Sequence, residues 1–133
     1  APMCDPEAVT LGVILGRLFA FVGLGGEPGG VMMYEITDLD NPRFVRWISS
    51  NDGSGGEGDA SPEVVCFVHA SESPTAYPLL LVSHERTGSV AIYEIEPASR
   101  TESGAEGDIE ELTGLLEFGQ AGRPQSSGEN PAE

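Results

Sequence analysis

The residues in this sequence best suited to chemistry are carboxylates that recur at fixed places. Pro6-Glu7 and Pro62-Glu63 each open an apolar segment, Asp59 stands just ahead of the second pair, and Glu85 ends the turn Ser83-His84-Glu85. Carboxylates converging from such places suit calcium, a hard ion that takes roughly six to eight oxygen ligands. The competing reading gives Glu7 and Glu63 a local task, accepting backbone hydrogen bonds where their segments begin, and makes His84-Glu85 a polar turn. Other chemistries find little support. Two histidines cannot supply a three-histidine zinc centre, and His69, after Phe67-Val68, reads as a strand end. There is no Gly-x-Ser-x-Gly elbow, and Asp52-Gly53-Ser54-Gly55 lies in a loop that no helix follows. Gly23-x-Gly25 lacks the third glycine of a dinucleotide fingerprint, because Pro28 stands in its place and a strand pattern follows.

Composition narrows the function classes further. The chain carries 22 acidic residues against six arginines and no lysine, a formal net charge of −16. Such a surface repels phosphate backbones and anionic membranes, so nucleic-acid binding through a basic groove is excluded. Without lysine there is no phosphate-loop lysine and no Schiff-base lysine. The acidity suits divalent cations, salty surroundings or plain solubility. Cys4 and Cys66 have no Cys-x-x-Cys spacing, so they read either as a disulfide between two neighbouring units or as two small apolar residues. No apolar run is long enough to insert across a membrane as a helix.

The elements that must position the carboxylates come as one unit written twice. Pro6-Glu7-Ala8-Val9 recurs as Pro62-Glu63-Val64-Val65, and Val31-Met32-Met33-Tyr34-Glu35-Ile36 recurs as Val90-Ala91-Ile92-Tyr93-Glu94-Ile95. Between them lie Leu18-Phe19-Ala20-Phe21-Val22 in the first copy and Leu79-Leu80-Leu81-Val82 in the second. Short apolar runs rich in Val, Ile, Phe and Tyr, bounded by Gly, Pro, Asn and Asp, are strands. In Val31–Ile36 both faces are largely apolar, which predicts a central strand. Arg43–Ser49, of mixed polarity after the turn Asn41-Pro42, predicts a fourth, outer strand whose arginines face water and whose Trp47 covers an edge. The fold expected is all-β: two consecutive β-propeller-type blades, a partial propeller, over residues 1–97. The blades run about 5–50 and 62–97 and are joined by an acidic, glycine-rich loop. Tyr34 and Tyr93 are expected to pack between blades. Residues 98–133 read as a disordered acidic tail. Within it Asp108, Glu111 and the apolar positions 109, 112, 115 and 116 predict a short helix over 108–118.

At these residues the sequence resembles a known group. Phe21-Val22-Gly23-Leu24, Gly30-Val31-Met32 and Tyr34-Glu35-Ile36-Thr37-Asp38 with Asn41-Pro42-Arg43-Phe44 are similar to the choice-of-anchor I domain family. So are Gly58 to Glu63, Ser73-Pro74, Pro78 to Val82 and Gly88 to Ile95. That family is related to the mesenchyme-specific cell surface glycoproteins, and its bacterial members are often labelled alkaline-phosphatase-like. The resemblance spans roughly residues 5–97 and departs at Gly23-Leu24-Gly25-Gly26-Glu27-Pro28 and at Ser83-His84-Glu85. It implies an extracellular or cell-surface β-propeller of which this chain is the last blades. The function expected is therefore non-enzymatic adhesion or scaffolding, with Glu7, Asp59, Glu63 and Glu85 facing the central channel and calcium as a candidate structural ion. Its partners would be the remaining blades or another protein surface. The alternative is part of a calcium-dependent, alkaline-phosphatase-like phosphoesterase, since fold alone does not decide function.

Overall fold

The computed structural model describes residues 5–26, 29–49 and 61–97, together with the backbone of 116–122. Within these residues every regular element is a strand. Strands β1 (Pro6–Ile14), β2 (Arg17–Leu24), β3 (Gly30–Glu35) and β4 (Arg43–Ile48) form one antiparallel sheet. Strands β5 (Pro62–Val68), β6 (Leu79–His84), β7 (Ser89–Pro97) and β8 (Leu116–Gly122) form a second. In each sheet the spatial order follows the chain order, so every connection joins neighbours.

The repetition seen in the sequence is repeated in the pairing. The β1–β2 register slips between Pro6 and Ala8 and the β5–β6 register slips between Pro62 and Val64, so Glu7 and Glu63 are the extra residues of matching β-bulges. A second bulge recurs as well: Val45 opposite Met33 and Tyr34 in the first sheet, Ala121 opposite Ile92 and Tyr93 in the second. Bulges bend and twist a strand at a chosen place, so both sheets are shaped alike. Ile36 N, just past β3, donates to Leu18 O, and its counterpart Ile95 N, within β7, donates to Pro78 O, each at 2.9 Å.

Each sheet has two faces, set by the alternation of side chains along a strand. On the front of the first sheet lie Gly12, Phe19, Phe21, Val31 and Met33; on its back lie Val9, Leu11, Ala20, Val22, Met32 and Tyr34. The second sheet turns its back to the first sheet's front. Phe67 stacks on Phe21 with ring centroids 5.7 Å apart. A Cβ placed on Gly12 would come within 2.5 Å of the Phe67 ring, and one on Gly23 within 2.9 Å of Val65. Phe19, Phe21, Met33, Leu80, Val82 and Ile95 fill the shared core between the sheets. Burying an aromatic side chain of this size contributes about 2–3 kcal/mol, and Gly12 leaves the space for it. The backbones approach most closely where β1 and β2 meet β5.

At one margin of this core Arg17 Nη2 meets Glu35 Oε1 at 2.7 Å, both side chains largely buried. Glu35 Oε2 has no hydrogen-bond partner among the described residues. Removing Arg17 would leave a buried carboxylate uncompensated, which is far more costly than replacing both residues by apolar ones.

Several expectations are corrected or refined. The second repeat does not end at Pro97, because Leu116–Gly122 pairs with β7 as its fourth strand. The same strand replaces the last part of the helix expected over 108–118 and the disorder expected there; residues 108–115 lie outside the described residues. An unpaired β7 edge offers a row of backbone donors and acceptors, and pairing with it outweighs the capping pattern that suggested a helix. Tyr93 packs against the core between the sheets as expected. Tyr34 instead meets Phe44 edge-on at 5.6 Å on the back of the first sheet. Cys66 is a free, exposed thiol, and Cys4 lies outside the described residues.

The β1–β2 hairpin turns on Leu15-Gly16, both with positive φ, 51° and 76°. This is the pattern of a type I′ turn, in which a leucine is strained and an asparagine is favoured. Leu15 is also 62% exposed. Leu15→Asn should therefore stabilise the protein by about 0.5–1 kcal/mol, read as a higher urea midpoint at unchanged slope.

Candidate functional site

The bulges that open β1 and β5 bring Glu7 and Glu63 together. Their carboxyl groups are joined by a hydrogen bond, and the charges of Asp5 and Glu85 also reach Glu7. Three of the four carboxylates singled out in the sequence, Glu7, Glu63 and Glu85, thus gather at one end of the two sheets. Asp59 lies outside the described residues. Asp5 is a further member that no motif or repeat in the sequence marks.

Hydrogen bonds around the cluster close each copy on itself, and one of them ties the two copies together. Gly25 N donates to Asp5 O at 2.8 Å and Glu85 N donates to Ser61 O at 3.1 Å. Gly26 N donates to Ser61 Oγ at 3.3 Å, a bond between the turn after β2 and the residue that precedes β5. Ser61 holds a positive φ of 63° to make this approach. The Glu7 carboxyl lies directly over Gly25, where a side chain would collide with it. Gly25 is therefore the floor beneath Glu7.

His84 does not join the carboxylates as a surface ligand. It is the last residue of β6, only 2% exposed, and pairs in register with Pro62 and Ser89. Glu85, the next residue, is exposed and lies in the turn. His69 serves its own turn: Ser71 N donates to His69 Nδ1 at 3.2 Å, and Ser71 Oγ lies 2.8 Å from the same nitrogen.

Compared with known proteins, the chain matches no family model, no curated protein and no solved structure. The site is therefore read from its own chemistry. Two carboxyl groups joined by a hydrogen bond share a proton, and a cation can take the place of that proton once the pair ionises. Among the described residues no three His, Cys, Asp or Glu side chains stand in a ready coordinating arrangement, so a cation here would draw the exposed carboxylates inward.

The pair also sets a pH dependence. The Glu7 carboxyl titrates above its ordinary value of 4.5, first because of the hydrogen bond with Glu63, then through lost hydration and the charges of Glu63, Asp5 and Glu85. Above pH 4.5 the folded chain keeps a proton on Glu7 that the unfolded chain has released. The folded state then binds more protons, and stability falls as pH rises through that window. Glu7→Gln retains a donor to Glu63 and removes the titration. The unfolding temperature of wild type should therefore drop relative to Glu7→Gln as pH rises above 4.5, and less so in high salt; parallel curves for the two proteins would contradict this.

Proposed function

We propose that the two sheets are consecutive blades of a β-propeller and that the chain serves as a non-enzymatic scaffold or adhesion module at the cell surface or outside the cell. The observation that carries this reading is the stacking of equivalent sheets front to back. Blades of a propeller repeat the same relation around an axis and approach each other most closely along their first strands, and here β5 lies nearest to β1 and β2. The resemblance to the choice-of-anchor I family supports the location.

On this reading Glu7 and Glu63 sit at one end of the axis-side strands, where each further blade would add a carboxylate. Calcium is the proposed ion, because it accepts many oxygen ligands in flexible geometry and would relieve the repulsion among Asp5, Glu7, Glu63 and Glu85. The proton-sharing Glu7–Glu63 pair gives the phosphoesterase reading its one foothold, since a metal held there with an open position would polarise a phosphoryl oxygen.

One experiment separates the two readings. Calcium is titrated by calorimetry into wild type and Glu63→Gln, and hydrolysis of p-nitrophenyl phosphate is followed in the same samples. The expected result is saturable binding that raises the unfolding temperature, weakened at least about 10-fold by Glu63→Gln, with no hydrolysis. Hydrolysis that requires calcium and is lost in Glu63→Gln would overturn the scaffold reading.

A further inference from the structure

The front-to-back relation leaves one face of each sheet without a partner, and the two faces left over are of opposite kind. Among the described residues no element lies on the back of the first sheet or on the front of the second, and Val9 and Leu11 on the one and Val64 and Cys66 on the other are exposed. We infer that these two faces fit each other, so that a second copy of this chain seats the back of its first sheet on the front of the second sheet. This rests on the blade reading and extends it to the chain's own assembly.

By register Val9 and Leu11 occupy the positions of Val65 and Phe67, while Gly12 and Gly23 occupy those of Val68 and Ser83. Within the chain Val65 and Phe67 are the side chains that enter the first sheet's front, against Gly23 and Gly12. Their counterparts on the first sheet point the same way but meet no sheet: Val9 is 66% and Leu11 54% exposed. Carrying the observed interface one step along places Leu11 over Val68 and Val9 over Ser83 of a neighbouring copy. A phenylalanine over a glycine and a leucine over a valine fill similar space, which is the volume exchange that packed cores tolerate best.

The polarity along β1 supports the same partner. Its covered face carries Ala8, Thr10 and Gly12, whereas its uncovered face carries Val9, Leu11 and Val13. A strand meant to end against water alternates the other way. The same back continues through the half-buried Met32 and Tyr34 to Phe44 and Trp47, both exposed, and contiguous exposed apolar side chains mark interaction sites.

Because the joined faces differ, the contact is heterologous, and repetition closes into a ring where the rotation allows. Rings of such sheets hold roughly four to eight, which corresponds to about two to four copies. The net charge of −16 opposes assembly, so association should strengthen as ionic strength rises from about 0.05 M to about 0.5 M.

Cys66 makes the orientation testable, since it is exposed on the second sheet's front at the position equivalent to Thr10. In a Cys4→Ser background, Leu11→Cys is added at an exposed position and the protein is oxidised at several concentrations. Mass spectrometry maps the linkage and light scattering gives the mass. The expected result is a discrete assembly whose crosslink joins Cys66 of one copy to position 11 of another. Leu39→Cys, in an exposed turn, should give no such product. Val9→Glu with Leu11→Glu should weaken assembly about 100-fold or more. A monomer at all concentrations and salt levels, or an assembly crosslinked Cys66 to Cys66, would overturn the inference. The Phe21–Phe67 ring contact, followed by NMR in the wild-type chain, separates the two levels. If the contact persists while copies fail to join, only the assembly is wrong; if it is absent, the blade reading fails with it.

Discussion

Everything in this structure depends on Phe67 reaching across to the first sheet and lying in the space that Gly12 leaves open. That contact sets how far apart the sheets stand and which faces meet, and it brings the Phe67 ring onto Phe21. Among the described residues neither sheet has a second layer of its own, and a single sheet with an uncovered apolar face gains too little burial to offset the entropy of ordering its chain. Joined front to back, they share one core built from Phe19, Phe21, Met33, Leu80, Val82 and Ile95.

The same contact explains the acidic cluster. Because β5 lies against β1 and β2, the bulges that open β1 and β5 fall side by side and put the Glu7 and Glu63 carboxyl groups within hydrogen-bond reach. The cluster is an outcome of stacking two equivalent units in parallel, each carrying Pro-Glu at its start. Ser61 and Gly26 fasten that end, so the carboxylates are held close despite their repulsion. The electrostatic cost is tolerated because it falls on an exposed rim, where water and salt screen it.

Much of this was legible from the residues. The doubled Pro-Glu and the doubled Tyr-Glu-Ile gave the strands and the place of Glu7 and Glu63 at the start of the first strand of each copy, because a repeated segment must fold in a repeated way. Three features were not legible, each for a physical reason. Leu116–Gly122 carries two glycines and no β-branched residue, so only the open edge of β7 specifies it as a strand. The Arg17–Glu35 pair joins the first residue of β2 to the last residue of β3, and no sequence spacing signals it. The front-to-back stacking was hidden because alternation along β1 looks reversed until the uncovered face is seen as the counterpart of the covered one in β5. The choice among ligands is equally silent in the sequence, since carboxylates at an exposed rim serve solubility and calcium alike.

The most direct test of the account is a double-mutant cycle between Gly12→Val and Phe67→Ala, read by urea unfolding. Each single change should cost about 2–4 kcal/mol, one by collision and the other by lost burial. Together they should cost at least about 1 kcal/mol less than the sum, because the valine then enters the space the ring vacated. A Gly12→Val protein as stable as wild type, or costs that add to within about 0.5 kcal/mol, would mean that Phe67 does not lie on Gly12 and that the sheets do not stack front to back.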